Sequence, residues 1–374
     1  MMQTVNPVPR GSSSKKSAKA VVLPFPARRR TRDSLPVVDI DGLHHANPQV
    51  QRSTAGQIGE IAMENGFLYL HHHGVDLQLI EAVYEQARHF FSKPAVEKNR
   101  YYIGHSRNHR GYVPVTEKGD YADEQGPRRY EAFDMGLDLS KYDQDYQAGN
   151  PLLGPNVWPD QPGFKYVLSN YFAEMRRITK SMCRAFEMVL ELPEGFFESH
   201  MQKPISQVRL LHYMQNSAAA DNRGVNMGAH TDYECFTILH SRTPSLQVMD
   251  LESNWIDAPP LKNTFYFNIG DMLEAWSGGL LVATPHRVVN RGEERYSIPY
   301  FAATDFNTIV TPLESPKFQD RQQHYETIIA GEHLVSQLLR DFPYLRRRYE
   351  AGLLQLPAIQ QRPNPFEKRI TLSK

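Results

Sequence analysis

Cysteine is scarce in this 374-residue chain, which contains only Cys183 and Cys235. Two cysteines exclude a disulfide framework, and such scarcity is typical of proteins from a reducing compartment. No apolar run approaches the roughly 18–20 residues that are needed to cross a bilayer. Net charge is absent as well, because 42 basic residues balance 42 acidic ones. We therefore expect a cytoplasmic protein that binds neither a membrane nor a nucleic acid.

Residues 1–34 differ in composition from the rest of the chain. Arginine and lysine are frequent there, and Asp33 is the one acidic residue. Serine and proline are also common, and the segment has no hydrophobic periodicity with which it could bury a face. This composition predicts a disordered basic tail, followed by a single domain over residues 35–374.

Hydrophobic spacing divides that domain into three regions. Residues 35–205 mix strand and helix patterns. Residues 206–306 contain short strand patterns separated by Asn, Gly and Pro, which is typical of a closed or double-sheet β structure. Residues 307–374 return to helical spacing. We expect a mainly β protein with flanking helices.

Individual elements follow from the same spacing. Strands are predicted at 35–40 and 67–70, whereas residues 101–130 have the Tyr-, Arg-, Gly- and Asp-rich composition of a loop. Gly66 follows the first helical pattern, at the position where a left-handed residue ends many helices. Amphipathic helices are predicted at 53–65, 77–91, 161–191 and 324–354.

Three residues have the chemistry of a metal site. His230 and Asp232 are two positions apart, so on a strand their side chains would point to the same face. His286 follows after enough chain for several strands to return to the same place. Two imidazoles and one carboxylate are the ligand set of non-haem Fe(II) oxygenases. Zn(II) is the alternative metal, although the chain has no H-E-x-x-H or C-x-x-C motif to support it.

A second pair of residues suits an anionic ligand. Arg295 and Ser297 repeat the period-two spacing shortly after His286. A planar guanidinium can bind both oxygens of a carboxylate, and a hydroxyl on the same strand face can add a hydrogen bond. The pair therefore predicts a carboxylate clamp close to the metal site.

The ordered pattern H-x-D, distal H and R-x-S closely resembles the iron(II)- and 2-oxoglutarate-dependent dioxygenases of the isopenicillin N synthase-like family. The likeness runs from about residue 35 to about residue 306. It implies a double-stranded β-helix, or jelly roll, as the core over residues 206–306. It also implies Fe(II), O2 and the co-substrate 2-oxoglutarate, with ascorbate as an aid in vitro. Other segments that carry it are 35–40, 66–70, 209–213, 246–248 and 268–271.

The resemblance implies a role for each residue of the pattern. His230, Asp232 and His286 would hold the iron. Halogenating relatives replace the carboxylate with a small residue, so Asp232 argues against halogenation. Arg295 and Ser297 would bind the far carboxylate of 2-oxoglutarate.

Three further positions are interpreted through the same resemblance. Tyr213 either places its hydroxyl against the co-substrate or serves as a core aromatic. Tyr233 and Glu117 are candidates for the substrate pocket, although a solvated loop acid is the alternative for Glu117. The three histidines at 71–73 look like a metal tract, but the family uses this strand end structurally, and we expect the same here.

The sequence leaves three functions open. The first is a 2-oxoglutarate-dependent oxygenase that hydroxylates, desaturates or cyclises a small molecule with release of succinate and CO2. Its substrate would be an amino acid or a natural-product intermediate of secondary metabolism. The second is an oxidase of the isopenicillin N synthase type, which uses no 2-oxoglutarate. The third is a non-catalytic binding module with the same fold.

Overall fold

A computed structural model describes residues 34–115, 130–215, 225–313 and 325–356. The predicted tail therefore lies outside the described residues except for Ser34, and so does Glu117. Within the described parts of the chain, no helix combines the length and the hydropathy that a bilayer-spanning segment requires.

Fourteen strands form two larger sheets and one small two-stranded sheet among the described residues. The strands are β1 Val37–Asp39, β2 Phe67–His71, β3 Gly111–Val113, β4 Tyr130–Gly136, β5 Gln207–Tyr213, β6 Val225–His230, β7 Phe236–Ser241, β8 Leu246–Met249, β9 Trp255–Ala258, β10 Thr264–Ile269, β11 His286–Val289, β12 Arg295–Ala302, β13 Ile309–Val310 and β14 Ile328–Ile329. The large sheet has the order β1-β2-β10-β7-β12-β5-β4-β3, and the small sheet has the order β6-β11-β8-β9, while β13 pairs with β14.

Helices cover the outer face of the large sheet. The longest, α5 (Phe164–Leu190), packs Phe172 against Tyr300 of β12 and Phe186 against Phe267 of β10. Burying each such aromatic side chain stabilises the fold by about 1.5–3 kcal/mol. The helices are α1 Pro48–Glu64, α2 Leu77–Phe91, α3 Ala95–Lys98, α4 Gln144–Gln147, α5 Phe164–Leu190, α6 Phe196–Ser199, α7 Asp271–Trp276, α8 Ala330–Asp341 and α9 Pro343–Glu350, and short 3-10 helices span Ile40–His44, Asn99–Tyr101 and Ile103–His105.

A second, smaller core lies between the two sheets. It joins β2 and β10 of the large sheet to β8 and β9 of the small one. Because β2 has helices on one side and the small sheet on the other, its residues are buried in succession instead of alternating. The members of this core are Leu35, Phe67, Tyr69, Leu246, Val248, Ala258 and Tyr266.

The predicted helices largely match the observed ones. Helix α2 has the predicted bounds, and α1 ends at Glu64, just before Gly66. Gly66 has φ +73°, and a Cβ there would lie 1.9 Å from the carbonyl oxygen of Val282. Only glycine fits this approach, so the expected helix end at Gly66 is confirmed.

Two predicted elements were wrong in detail. The helix predicted at 324–354 is divided, because Pro343 has no N–H to continue α8 and instead begins α9. The predicted loop at 101–130 contains two 3-10 turns and strand β3, and β4 begins at Tyr130. Strand β3 is stabilised by its pairing with β4, which local composition does not reveal.

Candidate active site

A cavity between the two sheets contains most of the predicted site residues. Its walls come from β4, β5 and β12 of the large sheet, from β6 and β11 of the small sheet, and from α8. Arg295 lies just behind this wall and is almost fully buried. The predicted residues on the wall itself are Tyr213, His230, Asp232, Tyr233, His286 and Ser297.

Two imidazoles and one carboxylate converge on one point in this cavity. Nε2 of His230 lies 3.7 Å from Oδ1 of Asp232, and Nε2 of His286 lies 3.6 Å from the same oxygen. His230 and His286 are direct partners in the pairing of β6 with β11, and their ring centroids are 4.3 Å apart. Ligand bonds of about 2.0–2.2 Å can meet at one ion from atoms at such separations.

Backbone carbonyls orient both imidazoles toward that point. Nδ1 of His230 donates to the carbonyl of Gly228 at 2.8 Å, and Nδ1 of His286 donates to the carbonyl of Thr284 at 3.3 Å. With the proton on Nδ1, each Nε2 keeps its lone pair for a metal ion.

The carboxylate of Asp232 is oriented in the same way. Its Oδ2 accepts hydrogen bonds from Oγ1 of Thr237 at 2.5 Å and from Nδ2 of Asn268 at 2.7 Å. These bonds leave Oδ1 directed at the two imidazoles. Such outer hydrogen bonds commonly fix the orientation of a metal ligand.

The protonation states also suit a cation. Burial, together with the neighbouring His286, lowers the pKa of His230 to about 4, so this imidazole is neutral near pH 7. Burial alone would raise the pKa of Asp232, but the two imidazoles and the bonds from Asn268 and Thr237 outweigh burial and lower it. A neutral imidazole and an ionised carboxylate are the forms that bind metals.

The position of Asp232 differs from the strand geometry expected for it. Strand β6 ends at His230, and Asp232 lies in the turn before β7. Backbone contacts fix this turn: the N–H of Asp271 donates to the carbonyl of Asp232 at 2.8 Å. At Gly270, a Cβ would lie 2.2 Å from the carbonyl oxygen of Glu234. The close approach of segment 268–271, and not strand alternation, therefore places the carboxylate.

Arg295 is a buried cation with unmatched donors. Only 3% of its surface is exposed, and its Nε and Nη2 have no hydrogen-bond partner among the described residues. Its guanidinium carbon lies 3.5 Å from the ring centroid of Tyr213. Burial lowers the pKa of Arg295, and only Tyr213 counteracts that effect. A desolvated guanidinium with unused donors favours an anionic ligand.

Ser297 and Tyr213 accompany Arg295 on adjacent strands. Arg295 pairs with Tyr213, and Ser297 with Leu211, in the antiparallel register of β12 and β5. Burial raises the pKa of Tyr213, and the charge of Arg295 counteracts part of that effect. The predicted clamp residues are thus together, next to the triad of His230, Asp232 and His286.

The remaining predicted residues are Tyr233, Glu117 and the histidines at 71–73. Tyr233 lines the cavity, and its hydroxyl donates to Oδ2 of Asp341 at 3.4 Å. Glu117 falls outside the described residues. Of the histidine tract, His73 is buried and its Nδ1 accepts the N–H of Val75, which is a structural role.

Three charged residues on the cavity wall were missed from the sequence. Arg209 shares a face of β5 with Leu211 and Tyr213, so period-two spacing from Tyr213 could have identified it. Its guanidinium binds Asp134 through Nε at 2.6 Å and Nη2 at 3.0 Å. No local pattern marks the other two, which are Glu234 and Asp341.

The carboxylates on this wall are set in a dry environment. Burial, and then the charge of Asp232, raises the pKa of Glu234 to about 8. Asp341 ends α8 and reaches the cavity beside Tyr233. Arg209 stacks near the rings of Phe301 and Phe342, at 5.9 and 5.4 Å. Beyond the triad, the cavity therefore offers one guanidinium and two carboxyl groups.

Two nitrogens and one oxygen around one point, beside a buried guanidinium with unused donors, form the donor set of a non-haem iron centre with an acidic co-substrate. The sequence matches two family models. Residues 35–161 match the non-haem dioxygenase in morphine synthesis N-terminal family, and residues 205–304 match the 2OG-Fe(II) oxygenase superfamily.

Known proteins agree with these matches. The chain is 30% identical over 326 residues to a homoarginine-6-hydroxylase from Glycine max. The aligned region covers 83% of this chain and 97% of that protein. The structure of this chain is similar to that of a full-length Neurospora crassa protein in complex with alpha-KG and thymine. The TM-score is 0.68 and the sequence identity 25%, and the match covers 85% of this chain and 97% of that chain. It is also similar to a 2OG-Fe(II) oxygenase family protein from Caulobacter crescentus (TM-score 0.69, 28% identity, 85% and 98%).

The chain therefore belongs to the 2OG-Fe(II) oxygenase superfamily, in its isopenicillin N synthase-like branch. It is an oxidoreductase that uses Fe(II), O2 and 2-oxoglutarate to oxidise a small molecule. The two sheets are the double-stranded β-helix core of this superfamily, and the expected fold is confirmed. Of the three functions that the sequence left open, the 2-oxoglutarate-dependent oxygenase is the one that this membership supports.

Proposed function

We propose that His230, Asp232 and His286 hold the iron and that Arg295 and Ser297 hold the far carboxylate of 2-oxoglutarate. Two observations support these assignments. The three ligand atoms lie close together around one point, and two nitrogens of Arg295 have no hydrogen-bond partner among the described residues. Fe(II) with 2-oxoglutarate supplies O2 activation, which yields succinate, CO2 and an oxidised substrate. The protein residues hold these groups, keep them away from bulk water and orient the substrate C–H bond.

We further propose that the substrate carries a cationic nitrogen, as a basic amino acid does. The observation that carries this proposal is that two carboxyl groups, those of Glu234 and Asp341, line the cavity. Burial raises the pKa of Glu234 to about 8, and a cation bound beside it would favour its ionised form. Arg209, on the same wall, is held by two hydrogen bonds to Asp134. A buried carboxyl group favours a cation that can pair with it in the absence of water.

A relative supports the same substrate class. The Glycine max protein is named a homoarginine-6-hydroxylase, and homoarginine ends in a guanidinium. Hydroxylation is accordingly the outcome that we propose among hydroxylation, desaturation and ring closure. In this arrangement, Glu234 or Asp341 would bind the cationic end, while Arg209 and Tyr233 would contact the rest of the molecule.

Succinate formation across matched substrate pairs tests the proposal. The full chain is supplied with Fe(II), ascorbate and 2-oxoglutarate, and with either homoarginine or its uncharged analogue homocitrulline. Lysine and norleucine form a second pair, and thymine is included because a structural relative binds it. We expect faster succinate formation with the cationic member of a pair, and a product that has gained one oxygen atom.

Isosteric variants identify which carboxyl group binds the cationic end of the substrate. Glu234→Gln and Asp341→Asn keep the shape of each side chain but remove the carboxyl group that a bound cation would hold in its ionised form, and Glu60→Gln on the exposed face of α1 is the matched control. We expect KM for the cationic substrate to rise by about 10-fold or more in at least one cavity variant, since a hydrogen bond to a charged group contributes about 1.5–3 kcal/mol. Turnover of thymine or of a neutral analogue in preference to the cationic compounds would contradict the substrate class but not the oxygenase activity.

A further inference from the structure

We propose a second metal site on the protein surface, formed by Asp39, His71 and His72, that binds one ion of the Zn(II) type. It is separate from the catalytic triad, with which it shares no residue. The three side chains each offer one ligand atom, and these atoms all lie within 4.8 Å of one another. The proposal does not depend on the substrate or on the oxygenase activity.

Strand pairing brings the first two ligands together. Asp39 is the last residue of β1 and His71 the last residue of β2, and these residues are direct partners in the parallel register. Parallel strands keep such partners about 5 Å apart, so a carboxylate and an imidazole at these positions can reach one ion. The pairing fixes their backbones although the residues are far apart in sequence.

The backbone conformation of His72 positions its imidazole as the third ligand. Consecutive residues of a strand normally point to opposite faces. His72 instead has φ +49°, an uncommon conformation for a residue other than glycine. Its ring lies beside that of His71, with centroids 3.8 Å apart, and its Nδ1 is 2.7 Å from Oδ2 of Asp39. The chain thus turns both imidazoles toward the same carboxylate.

The donor set and the exposure suit an exchangeable ion. Two imidazole nitrogens and one carboxylate oxygen, completed by water, are a common ligand set for zinc. The side chains of His72 and Asp39 are 60% and 57% exposed, so an ion can enter without rearrangement of the core. Small rotations of these exposed side chains would bring the ligand atoms to bonding distance. The sequence predicted a structural role for all three histidines at 71–73, and the proposal departs from that prediction for His71 and His72. His73 is buried and takes no part.

Counting bound zinc in variants of the full, metal-free chain tests this site. Zn(II) also binds two-histidine, one-carboxylate centres, so the wild-type protein is expected to take two equivalents in a calorimetric titration. His286→Ala should remove the catalytic equivalent and His72→Gln the surface one. The double variant should take neither. His89→Gln, an exposed histidine on α2, is the matched control and should keep both equivalents.

Thermal denaturation gives a second readout that needs no activity. An ion that binds only the folded state raises the melting temperature. In the His286→Ala background, Zn(II) should therefore raise it, and adding His71→Gln or His72→Gln should abolish that shift. Should His286→Ala fail to fold, Asp232→Ala can serve as the background instead. A wild-type protein that takes only one equivalent, lost with His286→Ala, would reduce the cluster to a surface ion pair and overturn the proposal. Zinc binding by His72→Gln equal to that of His89→Gln would overturn it as well.

Discussion

Replacing Arg295 with Met separates a ligand-binding role from a structural one. The guanidinium is buried, lies over the ring of Tyr213 and has two nitrogens without partners among the described residues. Met keeps an unbranched apolar stem of similar length and removes the charge. If Arg295 had a structural role, the variant would lose stability even without ligand. If Arg295 binds 2-oxoglutarate, the variant would instead lose affinity for 2-oxoglutarate.

The expected magnitudes follow from that environment. Loss of one partner of a buried charge pair typically costs about 2–5 kcal/mol, which corresponds to a rise of about 30-fold to several thousand-fold in KM for 2-oxoglutarate. The protein without co-substrate should be equally stable or more stable, because the variant no longer buries an uncompensated charge. Arg295→Met should therefore weaken co-substrate binding while leaving the fold intact.

Two assays and two comparison variants complete the experiment. KM for 2-oxoglutarate is measured by succinate formation, and melting temperature is measured with and without 2-oxoglutarate. Ser297→Ala should cost less, about 1–1.5 kcal/mol for one hydrogen bond. Arg295→Lys should restore little, because lysine lacks the planar fork. An unchanged KM, or a co-substrate-free protein that is several degrees less stable, would refute the assignment of Arg295 to 2-oxoglutarate.

Three other predictions concern the site and its support. Thr237→Val removes one hydrogen bond to Asp232 and should weaken Fe(II) binding by about 10–100-fold in an equilibrium titration, and unchanged affinity would contradict the orienting role. Lys98→Met removes the ammonium partner of the buried Glu131 carboxylate, which keeps its hydrogen bonds with Tyr112 and His212, so urea denaturation should show a loss of about 1.5–3 kcal/mol, and a loss below 1 kcal/mol would be inconsistent with this role. Stability should also fall as the pH falls from about 6.5 toward 4, because burial lowers the pKa of His73, His240 and His333, which lie outside the proposed iron site, to about 4 and the unfolded chain then binds more protons than the folded one. Denaturation curves that coincide at pH 7 and pH 5 would contradict this linkage.

The sequence by itself determined the position of helix α2 and the residue types that the candidate reaction centre contains. Helix α2 has the bounds predicted from its apolar spacing, since a stripe at intervals of three and four residues is a local property. The identities of His230, Asp232 and His286 limited the metal, because few ions prefer two imidazoles and one carboxylate. Arg295 and Ser297 could be paired in advance because strand alternation is also local.

Tertiary structure alone decided how those residues are supported and what else surrounds them. Asp232 lies in a turn, and its carboxylate is oriented by Thr237 and by Asn268, which arrives from a different strand. The end of α8 brings Asp341 into the cavity wall, which no local pattern indicated. Likewise, Asp39 lies beside His71, the last residue of β2, only because of the register of two strands that are distant in sequence. Strand register and helix docking depend on packing across the whole core, so contacts between distant residues cannot be obtained from periodicity along the chain.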